Sequence, residues 1–348
     1  MSAELPKERA PSIRDVARLA GVSHQTVSRV LNDHPSIRDS TKARILQAME
    51  ELQYRPNQAA RALSKGRSRT IGVLTASSTQ YGPARSVAAI EDAARRQGYF
   101  VDTANLSVAD PAAIEDALVH LLDQAVEGLI IIAPQERVFD VLERMSIEVP
   151  YVSLQSTGNH DLRALAEDQI LGAKMATRHL IALGHREIVH IAGPQDWTEA
   201  EARMQGFLLE IDDAELMTHP PILGDWTADF GYFAGQELLR SRDFSAVFAA
   251  NDEMALGLLH ALHDAGLDIP GDVSVVGFDD IPVSSHTWPP LTTVHQDFEG
   301  IGRRAFASLL GAMGTIVDFP TGPTAPCLVA RDSSGPVPVS RLPLLKRY

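Results

Sequence analysis

The chain has 348 residues, a formal net charge of −14, 45% hydrophobic residues and one cysteine. That length supplies two or three domains with a sizeable core. No apolar run approaches the ~18–20 residues that span a bilayer, the amino terminus lacks a signal-peptide core, and the lone Cys327 excludes an internal disulfide framework. No membrane partner is therefore expected, the cytoplasm is the expected compartment, and Cys327 reads as a small buried thiol. Charge is spread unevenly: residues 1–70 carry 13 Lys and Arg against 7 Asp and Glu, whereas the other 278 carry 18 against 38. A basic head on an acidic body suits a small phosphate-binding module joined to a domain with a different task.

In chain order, Ile13, Val16, Ala17 and Ala20 recur at the spacing of one buried helical face. Ser12 with Asp15 makes a capping-box start, and Gly21 supplies a residue that tolerates positive φ at the helix end. Ser23 can cap a second helix with Val27, Val30 and Leu31 inward, leaving His24, Gln25, Ser28 and Arg29 outside. Two short helices so arranged form a helix-turn-helix suited to a DNA major groove. A third amphipathic helix follows over Ser40–Leu52, with Ile45, Leu46, Met49 and Leu52 inward.

The segment GVSHQTVSRVLN followed by ELQYRPNQAARALSKGRSRTIGV resembles the amino-terminal region of LacI-family transcriptional regulators. The resemblance runs on through GLIIIAPQ, HLIALGHREIVHIAGP, GDW, AANDEMALG, DVSVVGFDD and PPLTTVHQDF, in the family's order. It implies an all-α helix-turn-helix head over 1–56 and a hinge over 57–70. A periplasmic-binding-protein-like α/β core of two doubly wound parallel-sheet lobes spans 71–335, and a tail completes 336–348. The amino-terminal lobe is expected at about 71–163 and 293–323, and the carboxyl-terminal lobe at about 164–290 and 324–335. The chain then crosses between lobes near 163–167, 289–293 and 323–327.

The resemblance assigns DNA contacts to Ser23, His24, Gln25, Thr26, Ser28, Arg29, Asn32, Thr41, Tyr54, Asn57, Ala60 and Leu63. Gln25 can pair bidentately with adenine and Arg29 with guanine, while the small hydroxyl side chains suit phosphate oxygens. In the family Leu63 wedges into the minor groove from a hinge helix, one that residues 57–70 are too short to form alone. The partners so implied are double-stranded operator DNA, a small-molecule sugar effector and a second copy of the chain. The tail lacks the leucine heptads that pair dimers in some members, so a homodimer rather than a tetramer is expected.

Beyond the hinge, short apolar strands alternate with amphipathic helices, the rhythm of parallel sheets covered on both faces. The strands are expected at Thr70–Thr75, Phe100–Ala104, Gly128–Ala133, Tyr151–Leu154, Ile188–Ala192, Ala246–Ala249 and Val273–Gly277. Ligands of such folds sit at the carboxyl ends of the strands. The resemblance puts Arg203, Asn251 and Asp279 on sugar-hydroxyl positions and Trp226 and Phe298 on ring-packing positions, with Gln296 alongside. On the amino-terminal lobe Ala76, Tyr81, Gln135 and Gln155 are the candidate contacts. The shared GDW and VHQDF segments imply a β-galactoside or β-glucoside, while Gln155 in place of an aspartate and Ala76 in place of a serine of the lactose-responsive member mean that lactose itself is not implied. His179, His185 and His190 read as structural. No GxGxxG, Walker loop or HExxH is present, and no catalytic residue, metal or cofactor is expected.

Overall fold

The computed structural model describes residues 11–31, 34, 36–54, 67–76, 80–106, 110–133, 135–154, 165, 168–217, 219–241, 243–315 and 325–337. The chain divides into a head, Met1–Ser68, and a larger unit, Arg69–Tyr348. Residues 57–66 of the expected hinge and the candidate contacts Asn32, Asn57, Ala60, Leu63 and Gln155 lie outside the described residues, and Thr70, the expected end of the hinge, already opens the first strand.

The head consists of α1 (Ile13–Leu19), α2 (His24–Leu31) and α3 (Asp39–Glu51). The Asp15 carboxylate accepts from the Ser12 backbone N–H at 2.9 Å and from its hydroxyl at 2.6 Å, which starts α1. Gly21 takes φ +63° in the turn, a conformation that costs a side chain with a Cβ. Ser23 starts α2 by accepting the Thr26 N–H at 3.1 Å. Val16, Ala17, Ala20, Val27, Val30, Ile45 and Ala48 form the buried core. Leu46, expected inward, is instead 49% exposed. Ile45, Ala48, Met49 and Leu52 already complete one helical stripe, and the next residue is turned about 100° away from it.

The larger unit holds two sheets. Its amino-terminal lobe contains β1 (Thr70–Ala76), β2 (Phe100–Leu106), β3 (Leu129–Ile132) and β4 (Tyr151–Ser153), in the parallel order β2-β1-β3-β4. Helices α4 (Tyr81–Arg96), α5 (Pro111–Asp123) and α6 (Glu136–Met145) connect these strands. The strand period of two decides the faces. Leu129 and Ile131 join one core with Ile114, Leu118 and Leu121, whereas Ile130 and Ile132 join another with Ile71, Val73 and Ile90.

The carboxyl-terminal lobe carries α7 (Gln169–Ala182), β5 (Ile188–Ala192), α8 (Thr198–Asp213), β6 (Ile222–Leu223) and α9 (Ala228–Ser241). It continues with β7 (Ala246–Ala249), α10 (Asp252–Asp264), β8 (Ser274–Asp279), a 3-10 turn at Pro282–His286 and β9 (Thr292–His295). Helix α11 (Phe298–Ala312) and strand β10 (Cys327–Val329) complete the described fold. The sheet order is β10-β9-β8-β7-β5-β6, with β10 antiparallel to β9. Val247 and Ala249 face one core; Ala246 and Phe248 face the other.

One expected boundary moves. Thr292–His295 pairs with β8, Gly277 opposite Thr293, so these residues belong to the carboxyl-terminal lobe rather than opening a segment of the other. The chain crosses later, at Gln296 and Asp297, and α11 then places Ala305, Phe306 and Leu309 in the amino-terminal core. The threonines of TTVH disguise a central strand, because Thr292 and Thr293 are fully buried yet hydrogen-bonded. Cys327, expected buried, is exposed on the edge strand β10. No described helix is long and apolar enough to cross a membrane.

Candidate functional site

Two surfaces carry the candidate residues. On the head, burial of Val27 and Val30 turns the opposite face of α2 outward, so that His24, Gln25 and Arg29 are exposed and Ser28 half-buried. The Thr26 hydroxyl lies 2.9 Å from that of Ser23, and both stand at the helix start, where backbone N–H groups suit phosphate. Thr41 is half-buried in the first turn of α3, and Tyr54 packs against the head core.

The second surface is the cleft between the two lobes of the larger unit. Tyr81, Arg203, Trp226, Asn251, Asp279, Gln296 and Phe298 all line it. Two of the other candidates do not. Ala76, at the end of β1, points into the core beside Leu106 and Ile131. Gln135 precedes α6, and its backbone forms an isolated antiparallel bridge with Trp197 of the other lobe. Its side-chain oxygen is buried without a partner among the described residues.

The polar floor of the cleft is a closed ring of four side chains. Arg203 Nε donates to Gln169 Oε1 at 2.8 Å, and Gln169 Nε2 donates to Gln296 Oε1 at 2.6 Å. Gln296 Nε2 donates to Asp279 Oδ1 at 2.7 Å, and the same oxygen lies 3.3 Å from Arg203 Nη1. Arg203 also donates to the Ala250 carbonyl and stacks 4.0 Å over the Phe278 ring. A guanidinium so held presents fixed donors without rotamer search. Gln169 was missed from sequence, where it reads only as the first residue of an amphipathic helix. Its partner is 127 residues away.

Asn251 caps α10 by accepting the Met254 N–H at 2.9 Å and donates to the Trp226 carbonyl at 3.0 Å. One amide N–H is left to meet a ligand. The six-membered ring of the Trp226 indole packs on Gly193, where any Cβ would overlap it. The indole Nε1 is buried with no partner among the described residues. Phe298 sits likewise over Gly82, where a Cβ would come within 2.6 Å, and meets Tyr81 edge-on at 5.9 Å. Trp226, Asp279 and Asp280 hold φ of +72°, +108° and +55°, backbone strain gathered around one site.

Sequence reasoning also missed Trp197, Glu199, Glu253 and Phe139, which line the same cleft. Burial pushes the Glu199 carboxyl up to about 7, against the opposing pull of Arg203. Burial, reinforced by the Asp279 charge, raises Glu253 as well. Among the described lining residues Arg203 carries the one guanidinium, and it is already matched by Asp279, so these residues offer no spare positive charge to an anionic ligand. The chemistry of the cleft is that of hydrogen bonds and ring faces, suited to a neutral polyol ring.

The histidines have other tasks. His185 lies within hydrogen-bond reach of Ser245 and Ser274, and His179 of Ser334. His190 is stacked between Phe207 and Phe248, and burial lowers it to about 4. No metal-holding group of His, Cys, Asp or Glu occurs among the described residues.

Comparison with known proteins places these features in context. Residues 12–57 match the model described as bacterial regulatory proteins, lacI family, and residues 177–334 match a periplasmic binding protein-like domain. The lactose operon repressor of Escherichia coli (strain K12) is 35% identical over 301 residues, covering 86% of this chain and 84% of that protein. The HTH-type transcriptional repressor PurR of Haemophilus influenzae (strain PittEE) is 33% identical over 86% of this chain and 90% of that protein. A crystal structure of the lac repressor dimer bound to operator and the anti-inducer ONPF superposes with a TM-score of 0.86. It is 33% identical and covers 94% of this chain and 100% of that one.

Proposed function

Because the chain belongs to the lacI family of bacterial regulatory proteins, we propose that this DNA-binding transcriptional regulator represses sugar-utilisation genes and is released from its operator by a sugar. It works in the cytoplasm as a homodimer on a pseudo-palindromic site, reading bases with His24, Gln25 and Arg29. Ser23, Thr26, Ser28, Asn32, Thr41, Tyr54, Asn57 and Ala60 hold the backbone, and Leu63 opens the minor groove. The effector is a β-galactoside or β-glucoside. Its hydroxyls meet Arg203, Asn251, Asp279 and Gln296, and its ring packs among Tyr81, Trp226 and Phe298.

The observation that carries this reading is the closed ring Arg203–Gln169–Gln296–Asp279 beneath aromatic walls. It is a preorganised, electrically balanced set of donors and acceptors, which suits vicinal hydroxyls and disfavours phosphate or carboxylate groups. Release follows if sugar favours a lobe arrangement that spreads the paired heads. A differential affinity of a few kcal/mol between the two states suffices.

Fluorescence anisotropy on labelled DNA from the protein's own upstream region tests both halves. Binding at nanomolar to micromolar protein, reversed by one β-linked sugar and not by a purine, is the expected outcome. Arg29→Ala should cost about 1–3 kcal/mol on that DNA and relax one base position. Equal loss on random DNA would reduce Arg29 to a phosphate contact. Release by a purine alone would overturn the sugar assignment.

A further inference from the structure

Two of the chain's three tryptophans meet in the cleft, and the position of one is specified from the opposite lobe. Trp197 closes the β5–α8 loop, lines the cleft and lies 5.7 Å from Trp226 with the ring planes at 68°. The loop is held across the cleft by the bridge from Gln135 to Trp197 and by the ion pair of Arg137 with Asp196 at 3.5 Å. Phe139, on the same helix as Arg137, lines the cleft too.

One pyranose ring cannot lie flat on two indoles that stand nearly perpendicular. Stacking a ring on Trp226 leaves open to the cleft the part of Trp197 that is not packed on the carboxyl-terminal core, in a cleft whose other ring wall, Tyr81 and Phe298, comes from α4 and α11. A half-buried tryptophan held from both lobes is a costly surface to leave to water. A second ring, turned relative to the first by a glycosidic bond, would cover it. Glu199 lies two residues beyond Trp197 on α8 and supplies a carboxyl for that ring's hydroxyls.

We infer that Trp197 forms a second-ring subsite, so that the effector is an uncharged disaccharide whose second pyranose packs on this indole. The inference rests on the sugar-binding reading of the cleft and deepens it. The mutual fixing of Trp197 and Gln135 makes the subsite complete only when the two lobes face each other as here. A second ring bound on Trp197 therefore acts on the same contact that joins the lobes.

Isothermal titration of the full chain with cellobiose, lactose, glucose and galactose tests it. The wild type should bind one disaccharide at least tenfold more tightly than either monosaccharide. In Trp197→Ala that ratio should fall about tenfold, and Trp197→Phe should restore most of it. Trp226→Ala should weaken both sugar classes together. Retained operator binding and a far-ultraviolet circular dichroism spectrum matching that of the wild type certify the fold of each variant. A wild type that binds a monosaccharide as tightly as any disaccharide overturns the subsite while leaving sugar binding intact. So does a Trp197→Ala protein that loses both classes in equal proportion. If none of the four sugars binds the wild type, the sugar-binding reading falls, and the subsite with it.

Discussion

Asp252 shows how much of the cleft depends on a residue that never reaches it. Its carboxylate accepts from the Ile281 N–H at 2.9 Å and from the hydroxyls of Ser284 and Thr293 at 2.6 Å. These bonds tie α10, the segment after β8, and β9 behind Asn251 and Asp279. Gly277 leaves room for the carboxylate, since a Cβ there would overlap Oδ1. Burial, with the nearby Asp279 charge, pushes the Asp252 carboxyl up from 3.8 to about 7. A carboxyl raised on folding stabilises the fold through its protonated form. That contribution is complete below about pH 4 and is lost as pH rises through about 7. Urea midpoints of the wild type should therefore fall relative to those of Asp252→Asn between pH 5 and pH 8. Parallel profiles would mean that the three donors outweigh desolvation and hold the group ionised throughout.

At the scale of elements, the β5–α8 loop organises the cleft. Gly193 lets Trp226 lie against the backbone, Asp196 and Trp197 reach the other lobe, and α8 carries Glu199 and Arg203 along one face. Gly193→Ala must push the indole off its seat. It should cost about 1–3 kcal/mol in stability, as overpacking does, and lower sugar affinity by more than it lowers operator affinity. Denaturant melts and paired titrations measure the two effects, and an unchanged Trp226 emission would show that the backbone gives way instead. Along the chain, the strands at Ile188–Ala192 and Ala246–Ala249 and the helix face of Val16, Val27 and Val30 were legible as periodic patterns. Helices α6 and α11 and strands β6, β9 and β10 were not, because they are short or owe their burial to distant partners.

Across the whole molecule, charge separates the two tasks. The positive excess of residues 1–70 suits a partner of high negative charge density, whereas the remaining 278 residues carry 38 acids against 18 bases. Operator affinity should therefore fall at least about tenfold between 50 and 200 mM salt, through counterion release. Sugar affinity should change less than about twofold, because the Arg203–Asp279 pair is buried and weakly screened. A sugar affinity that falls as steeply as the operator affinity would show that the Arg203–Asp279 pair is open to salt when sugar binds.

By itself the sequence determined the helix-turn-helix, the alternation of strand and helix, and part of the polar lining of the cleft: Tyr81, Arg203, Asn251, Asp279 and Gln296. Each of these is written in local periodicity or in a short motif such as AANDEMALG. Only the tertiary structure decided that Gln169 closes the ring from Arg203 to Asp279, that Trp197 stands against Trp226, that Ala76 joins the core, and that Gln135 pairs through its backbone with Trp197. Those outcomes depend on which side chains meet across 29 to 127 residues of chain, and no local pattern encodes a partner so far away.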